Sequence, residues 1–456
     1  MNASRRSRLL TALLVLGLAV ALSGCGGGGS GGTQQATSAA DNPEEGDLVY
    51  WFWAESDAPG ANKWMQQMID KYQQLHPKVH IKLVPQATDT LIGAFRTASQ
   101  SKSGPDIATQ WATLPTLTPA WTGASVPISD LVPQAELANW LNTQENLYQG
   151  KVWAMPLYLL GVPFAWNKDL FRRAGLDPEH GPATWDDLMS ACGKLKAAGI
   201  TPIGMGNKDG YFGAWFFSLI GKQSLDSPKD LQQAMLGNAK FSDEKYSGFY
   251  RAFEQLKKSG CLNDDVASLD LNQGWQLFPQ RKAAMAWTTD GNVLAWEKTL
   301  GAGKIGVGNS PKLGNGKLAA TYDTTQSSDA FITSWSKHKR AAAAFLTWLH
   351  QPDNLSSWYQ ATGVFPADKR FSASSVTDPL AKQLFALDTQ PGAIWPENYL
   401  PPQVDQNADL PAGQMITSGS GTPQQAAALW DRVIQQWKTQ HPDEYANYQK
   451  WTESTS

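Results

Sequence analysis

The chain has 456 residues, of which 42% are hydrophobic and 17% are charged, and its formal net charge is -3. This length is too great for one ordinary hydrophobic core and suits two lobes of about 150 to 200 residues each. The weak net charge gives no global field that would favour nucleic acid or an acidic membrane surface as a partner, so neither is expected. The 20 Trp residues are the distinctive feature of the composition. Their flat rings suit large cores or stacking on sugar faces, and we expect most of them in the core.

The first 25 residues have the pattern of an export signal. Arg5, Arg6 and Arg8 precede an apolar run that is too short to span a membrane comfortably. Residues 22–25, Leu-Ser-Gly-Cys, resemble the lipobox of bacterial lipoproteins, which implies cleavage before Cys25 and its lipidation with palmitate. The arginines also resemble a twin-arginine signal, but Arg8 stands where that pattern has an apolar residue, which favours the general secretory route. An uncleaved anchor helix is the alternative, and either way the body of the protein is expected outside the cytoplasm, attached to the cell membrane.

Residues 26–46 are predicted to form a flexible tether. They are mostly Gly, Ser, Thr, Gln and Ala, and a segment with so few apolar side chains cannot bury enough surface to fold. About 21 residues of flexible coil have an r.m.s. span of ~25 Å, which is enough to hold a folded body just off a membrane.

From residue 47 onward the chain alternates between strand and helix patterns. The predicted elements are a strand over 48–53, a helix over 62–76, a strand over 79–84, a helix over 90–101 and a third strand ending at Gln110. The apolar face predicted for the first helix comprises Met65, Met68, Ile69, Tyr72 and Leu75. This βαβαβ order predicts a doubly wound parallel sheet, in which ligands bind outside the C-terminal strand ends. The candidates at those ends are Trp53, Glu55, Gln110 and Trp111.

Residues 150–206 are the best organised stretch of the sequence. Two short strands are predicted over 151–156 and 162–166, followed by a short helix that Asp169 caps. A longer helix follows, and the residues that define its capping box and its end are Thr184, Asp187 and Gly199.

This stretch resembles the signature of the extracellular solute-binding proteins of ABC importers, the family that includes maltose-binding protein. The matching segments are GKVWAMP, WNKDLFRRAGL and PATWDDLMSACGKL. The resemblance extends over about residues 47–438. It implies an α/β chain with the two-lobed periplasmic-binding-protein fold of type II, in which doubly wound sheets are joined by interlobe hinge crossings. A plain αβ packing unit is the alternative explanation of the motif.

The resemblance also implies how the chain is divided. The first lobe comprises residues 47–157 and 319–363, and the second comprises residues 158–318 and 364–456. The chain is expected to cross between the lobes at 158–166, 319–334 and 363–366. Further predicted features are a helix over 246–258, a glycine loop over 290–292, a surface loop over 301–316, a helix over 337–350 and a last helix capped by Thr422 with Gln425.

The resemblance places the ligand in a cleft between the lobes. Its motif positions add these candidates to the four strand-end residues: Tyr158, Tyr211, Trp215, Asp290, Asn292, Gln326, Ser327, Trp395 and Glu397. Core packing is the alternative for each aromatic residue, and helix capping or a surface ion pair is the alternative for Glu55 and Asp290. Leu159 and Leu160 stand where the maltose-type pattern has an acidic residue, so maltose itself is not favoured.

The function that the resemblance implies is capture of a carbohydrate, a mono- or oligosaccharide, and its delivery to the permease subunits of an ABC transporter. We expect a monomer without cofactor, metal or catalytic residues. The alternatives are a protein that binds a polyol phosphate, a polyamine or another small polar solute, a secreted carbohydrate-active enzyme, and a lipoprotein that only scaffolds. A phosphate ligand would be expected to bind an Arg at the cleft, and none of the candidate stretches contains one. An enzyme would need only two carboxyl groups that meet across the cleft, which sequence spacing cannot exclude.

Metal and nucleotide sites lack their usual motifs. His76 and His80 have the spacing of helical metal ligands, but Pro77 breaks the helix between them. The chain contains no Cys-x-x-Cys and no Walker sequence. With Cys25 lipidated, Cys192 and Cys261 remain, and a disulfide between them is predicted because the exterior is oxidising. Two separately buried thiols are the alternative.

Overall fold

The computed structural model describes residues 41–88, 90–390 and 394–454. The export signal, Cys25 and residues 26–40 of the tether lie outside the described residues. The strands in the described part are β1 (Gly46–Phe52), β2 (Val79–Pro85), β3 (Ile107–Gln110), β4 (Ser125–Val126), β5 (Leu147–Tyr148), β6 (Lys151–Val152), β7 (Tyr158–Gly161), β8 (Phe164–Asn167), β9 (Thr201–Ile203), β10 (Ala283–Trp287), β11 (Ile305–Gly308), β12 (Thr324–Ser327) and β13 (Asp329–Thr333).

Helices occupy most of the remaining described sequence. They are α1 (Ala61–Leu75), α2 (Leu91–Ser101), α3 (Leu114–Trp121), α4 (Gln134–Leu137), α5 (Lys168–Arg173), α6 (Trp185–Ala197), α7 (Tyr211–Leu219), α8 (Pro228–Leu236), α9 (Glu244–Ser247), α10 (Phe249–Lys258), α11 (Leu271–Trp275), α12 (Asp290–Leu300), α13 (Lys339–Leu349), α14 (Pro352–Thr362), α15 (Pro379–Asp388), α16 (Pro402–Val404), α17 (Leu410–Ser418), α18 (Pro423–Gln440) and α19 (Pro442–Ser454).

The first sheet has the strand order β2-β1-β3-β13-β4. β1 runs parallel to β2 and to β3, which confirms the βαβαβ unit predicted from the sequence. β13 joins this sheet antiparallel to β3, more than 200 residues later in the chain. The C-terminal ends of β1 and β3 therefore lie side by side at one edge.

The second sheet has the order β11-β8-β10-β9. β8 is antiparallel to both of its neighbours, whereas β9 and β10 are parallel. Between the two sheets, β7 and β12 pair antiparallel with Tyr158 opposite Ser327. The Leu159 amide donates to the Phe365 carbonyl at 2.8 Å. The three segments predicted as crossings are thus in contact with one another, and we call β7 with β12 the crossing ribbon.

Several predicted elements differ from the observed ones. The strand predicted over 151–156 contains only β6, and Pro156 is outside it. Asn167, not Asp169, caps α5, because Asn167 is still extended and its side chain accepts the amides of residues 169 and 170 at 3.1 Å. Asp169 already lies in the first helical turn. The helix predicted over 246–258 begins at Phe249, after the separate short helix α9.

Other differences concern loops and chain ends. The predicted glycine loop over 290–292 is the first turn of α12, because the Thr289 hydroxyl accepts the Asn292 amide at 3.3 Å and starts a helix there. The predicted surface loop over 301–316 contains β11. α18 has the predicted capping box but is not the last helix, since α19 follows it. Leu75, predicted on the apolar face of α1, is 59% exposed because it occupies the last turn.

The capping and cysteine predictions for α6 are confirmed. Thr184 and Asp187 form the capping box, and the end of the helix is followed by Gly199 in the left-handed conformation. Cys192 of α6 forms a disulfide with Cys261, which follows α10, and their Cα atoms are 5.4 Å apart. Both sulfurs belong to buried residues, so the bridge fastens two helices inside the core. Most of the Trp side chains are buried, as expected.

Candidate ligand-binding cavity

A cavity of about 460 Å³ lies at the C-terminal ends of β1 and β3, beside the crossing ribbon. This volume is within the range usual for small-molecule sites. Its lining residues are Trp53, Ser56, Asp57, Ala87, Thr88, Trp111, Leu160, Asp209, Tyr211, Trp215, Asp270, Leu271, Asn272, Trp275, Thr325, Ser327, Trp395, Glu397 and Asn398. They come from the strand ends of the first sheet, from the crossing ribbon, from helices α7 and α11 with the residues just before them, and from the segment 395–398.

Two groups of tryptophans border the cavity. Trp53 and Trp111 follow neighbouring strands and meet edge to face, with ring centroids 5.6 Å apart at 85°. The Trp53 indole nitrogen donates to the Thr88 hydroxyl at 2.9 Å, which fixes the ring. Trp215 packs with its centroid 5.4 Å from that of Trp275 and 5.4 Å from that of Trp395. Indole rings held in this way offer preformed apolar faces to a ligand.

α7 is brought to the cavity by a close helix contact. A Cβ built on Gly213 would lie 2.5 Å from the Cα of Gly413 in α17, and the reverse is also true. Only glycine on both sides permits this approach. It sets the position of Tyr211 and Trp215 on α7.

Asp57 connects the cavity to the crossing ribbon. Its side chain is only 5% exposed, and one carboxyl oxygen accepts the Tyr158 hydroxyl at 3.2 Å and the Ser327 hydroxyl at 3.3 Å. Loss of water raises the pKa of Asp57 to about 7, although the two hydroxyl donors oppose the rise. Tyr158 belongs to β7 and Ser327 to β12. A ligand that contacts Asp57 therefore contacts the carboxyl group that is hydrogen-bonded to both strands of the crossing ribbon.

The cavity lining carries three further carboxyl groups. Burial, together with the charge of Asp405, raises the pKa of Glu397. Burial raises the pKa of Asp209 as well, although the Leu271 amide donates to this carboxylate at 3.1 Å. Asp270 caps α11 by accepting the Gln273 amide at 2.8 Å. No Lys, Arg or His is present among the lining residues that the structure describes.

Seven of the thirteen predicted ligand-binding residues border this cavity. They are Trp53, Trp111, Tyr211, Trp215, Ser327, Trp395 and Glu397. Trp395 and Glu397 are in contact at the cavity, where the Trp395 indole donates to the Glu397 carboxylate at 2.9 Å.

Three predicted residues lie near the cavity without lining it. Glu55 is exposed and accepts the backbone amides of Gly60 and Asn62, each at 2.8 Å, so it caps the start of α1. Gln110 is the last residue of β3 and is buried in the sheet. Tyr158 is fully buried and touches the cavity only through its hydrogen bond to Asp57.

Asp290 and Asn292 lie in the first turn of α12, outside the cavity lining. A Cβ on Gly161 would lie 2.4 Å from a carboxyl oxygen of Asp290 and 2.0 Å from one of Asp388. Both carboxyls therefore fill the space beside the backbone of β7, where burial raises the pKa of each. Gln326 pairs with Leu159 in the crossing ribbon, and its side chain lies outside the described part of the structure.

The sequence arguments missed part of the lining. Thr88 follows β2, a parallel strand to which the strand-end rule applies equally. Asp57 follows β1, for which the rule gave Trp53 and Glu55 instead. Asp209 and the residues of α11 carried no comparable signal. The capping box of Asp270 and Gln273 predicts a helix start but not what that helix faces.

The sequence and structure are similar to known proteins. A family model described as the bacterial extracellular solute-binding protein matches residues 55–355, more than half of the chain. The sn-glycerol-3-phosphate-binding periplasmic protein of Shigella flexneri is 28% identical over 228 residues, 46% of this chain and 50% of the relative. The match thus spans about half the length of such curated relatives.

Solved structures resemble nearly the whole described chain. A chitin oligosaccharide binding protein has a TM-score of 0.77 at 20% identity, covering 86% of this chain and 99% of that one. The GacH receptor of Streptomyces glaucescens, studied with acarbose, has a TM-score of 0.68 at 19% identity, covering 87% and 98%. The solute receptor AcbH, described as exclusive for β-D-galactopyranose, has a TM-score of 0.74 at 14% identity, covering 87% and 99%. These likenesses establish the fold.

The fold class predicted from the sequence is confirmed by these likenesses and by the two sheets with their crossing ribbon. None of the helices in the described residues has the length and apolar character needed to cross a membrane. The matched family model begins just after β1 and covers the end of β3 and the crossing ribbon. This chain therefore belongs to the bacterial extracellular solute-binding protein family.

Proposed function

We propose that this protein captures a mono- or oligosaccharide in the cavity and delivers it to the permease subunits of an ABC transporter. The observation that carries the proposal is the pair of tryptophan groups bordering a cavity of about 460 Å³. Sugar rings present apolar C–H faces to such rings and hydroxyls to the surrounding polar side chains. The polar side chains at the cavity include Thr88, Asn272, Thr325 and Asn398.

The similar structures support a carbohydrate ligand, because their names or titles mention chitin oligosaccharide, acarbose and β-D-galactopyranose. The sequence relatives support a polyol phosphate instead, since they bind sn-glycerol 3-phosphate. The charge of the cavity favours the carbohydrate. A phosphate would find four carboxyl groups and no basic residue to bind it among the described lining residues.

Ligand capture is proposed to work by closure of two lobes. We assign the first lobe to residues 47–157 and 319–363 and the second to residues 158–318 and 364–456. A ligand between tryptophans on both sides of the cavity makes contacts that exist only when the lobes are closed, so it shifts the equilibrium toward closure. The permease would recognise the closed form. The proposed protein acts as a monomer and binds its ligand without converting it.

A thermal-shift screen tests the carbohydrate proposal. The purified chain is heated with mono-, di- and oligosaccharides, with glycerol 3-phosphate and with spermidine. A ligand that binds only the folded state at 100 times its Kd adds about 2.7 kcal/mol to the free energy of unfolding and raises Tm. We expect at least one saccharide to raise Tm and to be recovered chemically unchanged. A rise with glycerol 3-phosphate alone, or cleavage of the saccharide, would overturn the proposal.

Attachment to the cell membrane is proposed to depend on Cys25, on the strength of Leu22-Ser23-Gly24-Cys25 and the tether behind it. Acyl chains on this residue would hold the protein at the membrane, because the partitioning of such chains grows with each buried methylene. We expect the Cys25→Ser variant to move from the membrane fraction to the soluble extracytoplasmic fraction. Unchanged partitioning of the variant would mean that the anchor lies elsewhere.

A further inference from the structure

The charges at the cavity are one-sided. The four cavity carboxyls, as we call Asp57, Asp209, Asp270 and Glu397, make no ion pair with any side chain that the structure describes. Elsewhere in the chain a buried acid does have a basic partner. Asp323 and Lys222 are both almost fully buried and pair at 2.6 Å. Asp290 and Asp388 beside β7 lack such a partner as well among the described residues, so the cavity carboxyls differ from them in bordering open space where a ligand can lie.

A second row of acids lies behind Glu397. Asp405 and Asp409 are buried, and the charge of Asp405 bears on both Glu397 and Asp409. Neither carboxyl oxygen of Asp409 has a hydrogen-bond partner among the described residues. Burial raises the pKa of Asp409 and favours its neutral form, so this second row adds acidic groups behind the lining but no basic group that could balance them.

Burial makes this charge costly in the absence of a ligand. Loss of water raises the pKa of Asp57, Asp209 and Glu397, which means that the ionised forms lack sufficient stabilisation. Neutral hydroxyl donors already contact Asp57 and do not restore its ordinary pKa. A positive charge on the ligand would stabilise the ionised forms more strongly than further hydroxyls.

The tryptophans suit the same charge. The negative face of an indole ring attracts ammonium groups, most strongly where water is excluded. Trp53 and Trp111 line the same cavity as Asp57. Trp395 contacts Glu397 directly, and Trp215 packs against Trp395 and Trp275. Aromatic faces and carboxylates without basic residues form the combination that recognises an amine rather than a phosphate or a purely neutral solute.

We propose that the cavity selects a saccharide that carries a protonated amine, and that the carboxylates of Asp57 and Glu397 bind its ammonium group. This inference rests on the proposed carbohydrate function and narrows its ligand class. The indole faces would stack on the sugar ring, and the ammonium group would lie between a carboxylate and a ring face.

Three disaccharides of equal ring count separate charge from shape: cellobiose, N,N'-diacetylchitobiose and the disaccharide of glucosamine. Calorimetry with the full chain should give an affinity for the glucosamine disaccharide that is at least about tenfold higher than for either neutral disaccharide. A difference of this size is expected from one additional contact between opposite charges. Raising the salt concentration should weaken only the amine ligand. Spermidine and glycerol 3-phosphate complete the set as an amine without a sugar ring and an anion.

Variants test whether the carboxylates of Asp57 and Glu397 are responsible for the preference for an amine. Asp57→Asn keeps an oxygen that can accept from Tyr158 and Ser327, and Glu397→Gln keeps an acceptor for the Trp395 indole. Each should lower the preference for the amine, measured as the ratio of its affinity to that of a neutral disaccharide for the same variant, by about tenfold. The matched control is Asp186→Asn, which removes the same charge from an exposed position on α6 and should leave the preference unchanged.

The outcomes separate this inference from the carbohydrate proposal. If a neutral disaccharide binds as tightly as the amine, the inference fails and the carbohydrate function stands. If spermidine binds and no saccharide does, the carbohydrate function and this inference both fail, and the polyamine alternative replaces them. Tightest binding of glycerol 3-phosphate would overturn both. Absence of binding by every amine probe, or a preference for the amine that survives both variants, would also overturn the inference.

Discussion

Trp111→Ala is expected to weaken binding of the saccharide ligand by about 30- to 1,000-fold, which corresponds to ~2 to 4 kcal/mol. Trp111 follows β3 at the cavity edge and meets Trp53 edge to face at 5.6 Å. Its ring is only partly buried without ligand, so its removal should leave no large closed void and should change the apo Tm little. Calorimetric titration and thermal melting of the same preparation measure both quantities.

Trp335→Ala is the matched control for this variant. Trp335 is also partly buried, but its ring stacks on Phe95 with centroids 6.0 Å apart, and its indole donates to the Pro105 carbonyl at 3.0 Å, away from the cavity lining. Its loss should lower Tm and leave affinity intact. If Trp111→Ala behaves like this control, Trp111 belongs to the packing of the first sheet and not to the site.

Removal of the disulfide is expected to lower the free energy of unfolding by about 2 to 4 kcal/mol. Cys192 and Cys261 are 69 residues apart in sequence, and closing a loop of that length in the unfolded chain gives about 4 kcal/mol in the chain-entropy model. The double variant Cys192→Ala, Cys261→Ala avoids leaving a lone thiol. Urea unfolding followed by Trp fluorescence, with and without reductant, measures the difference.

The double variant also provides the control for reduction. Reductant should destabilise the parent protein and have no effect on the variant, since Cys25 lies outside the crosslinked loop. Labelling of both thiols in the unfolded, unreduced parent would contradict the bridge. Ligand affinity should remain, because neither cysteine lines the cavity.

Local patterns in the sequence predicted local structure well. The parallel β1-β2-β3 unit, the capping boxes of α6 and α18 and the apolar face of α1 depend on residues a few positions apart, so the sequence determines them directly. The errors at this level are also local. Asn167 displaced Asp169 as the cap because its backbone remains extended, and the Gly291 segment became a helix start because Thr289 caps it.

The site was predicted where a residue's position follows from a strand end. Trp53 and Trp111 could be predicted together, because parallel strands in one sheet end at the same edge. Glu55 illustrates the limit of that rule. It follows β1 as Trp53 does, but its carboxylate caps α1 while Asp57, two residues later, faces the cavity. The direction of a side chain beyond a strand depends on the turn that follows.

The sequence by itself determined the family, the doubly wound first sheet and the aromatic character of the site. Only the tertiary structure decided which acids meet. Asp57, Asp209 and Glu397 are far apart in the chain, and packing brings them to one cavity together with Trp275, whereas Asp290 is carried to the other side of β7 against Asp388. The charge of a site is a sum over such neighbours, and their proximity depends on long-range packing that no local pattern encodes.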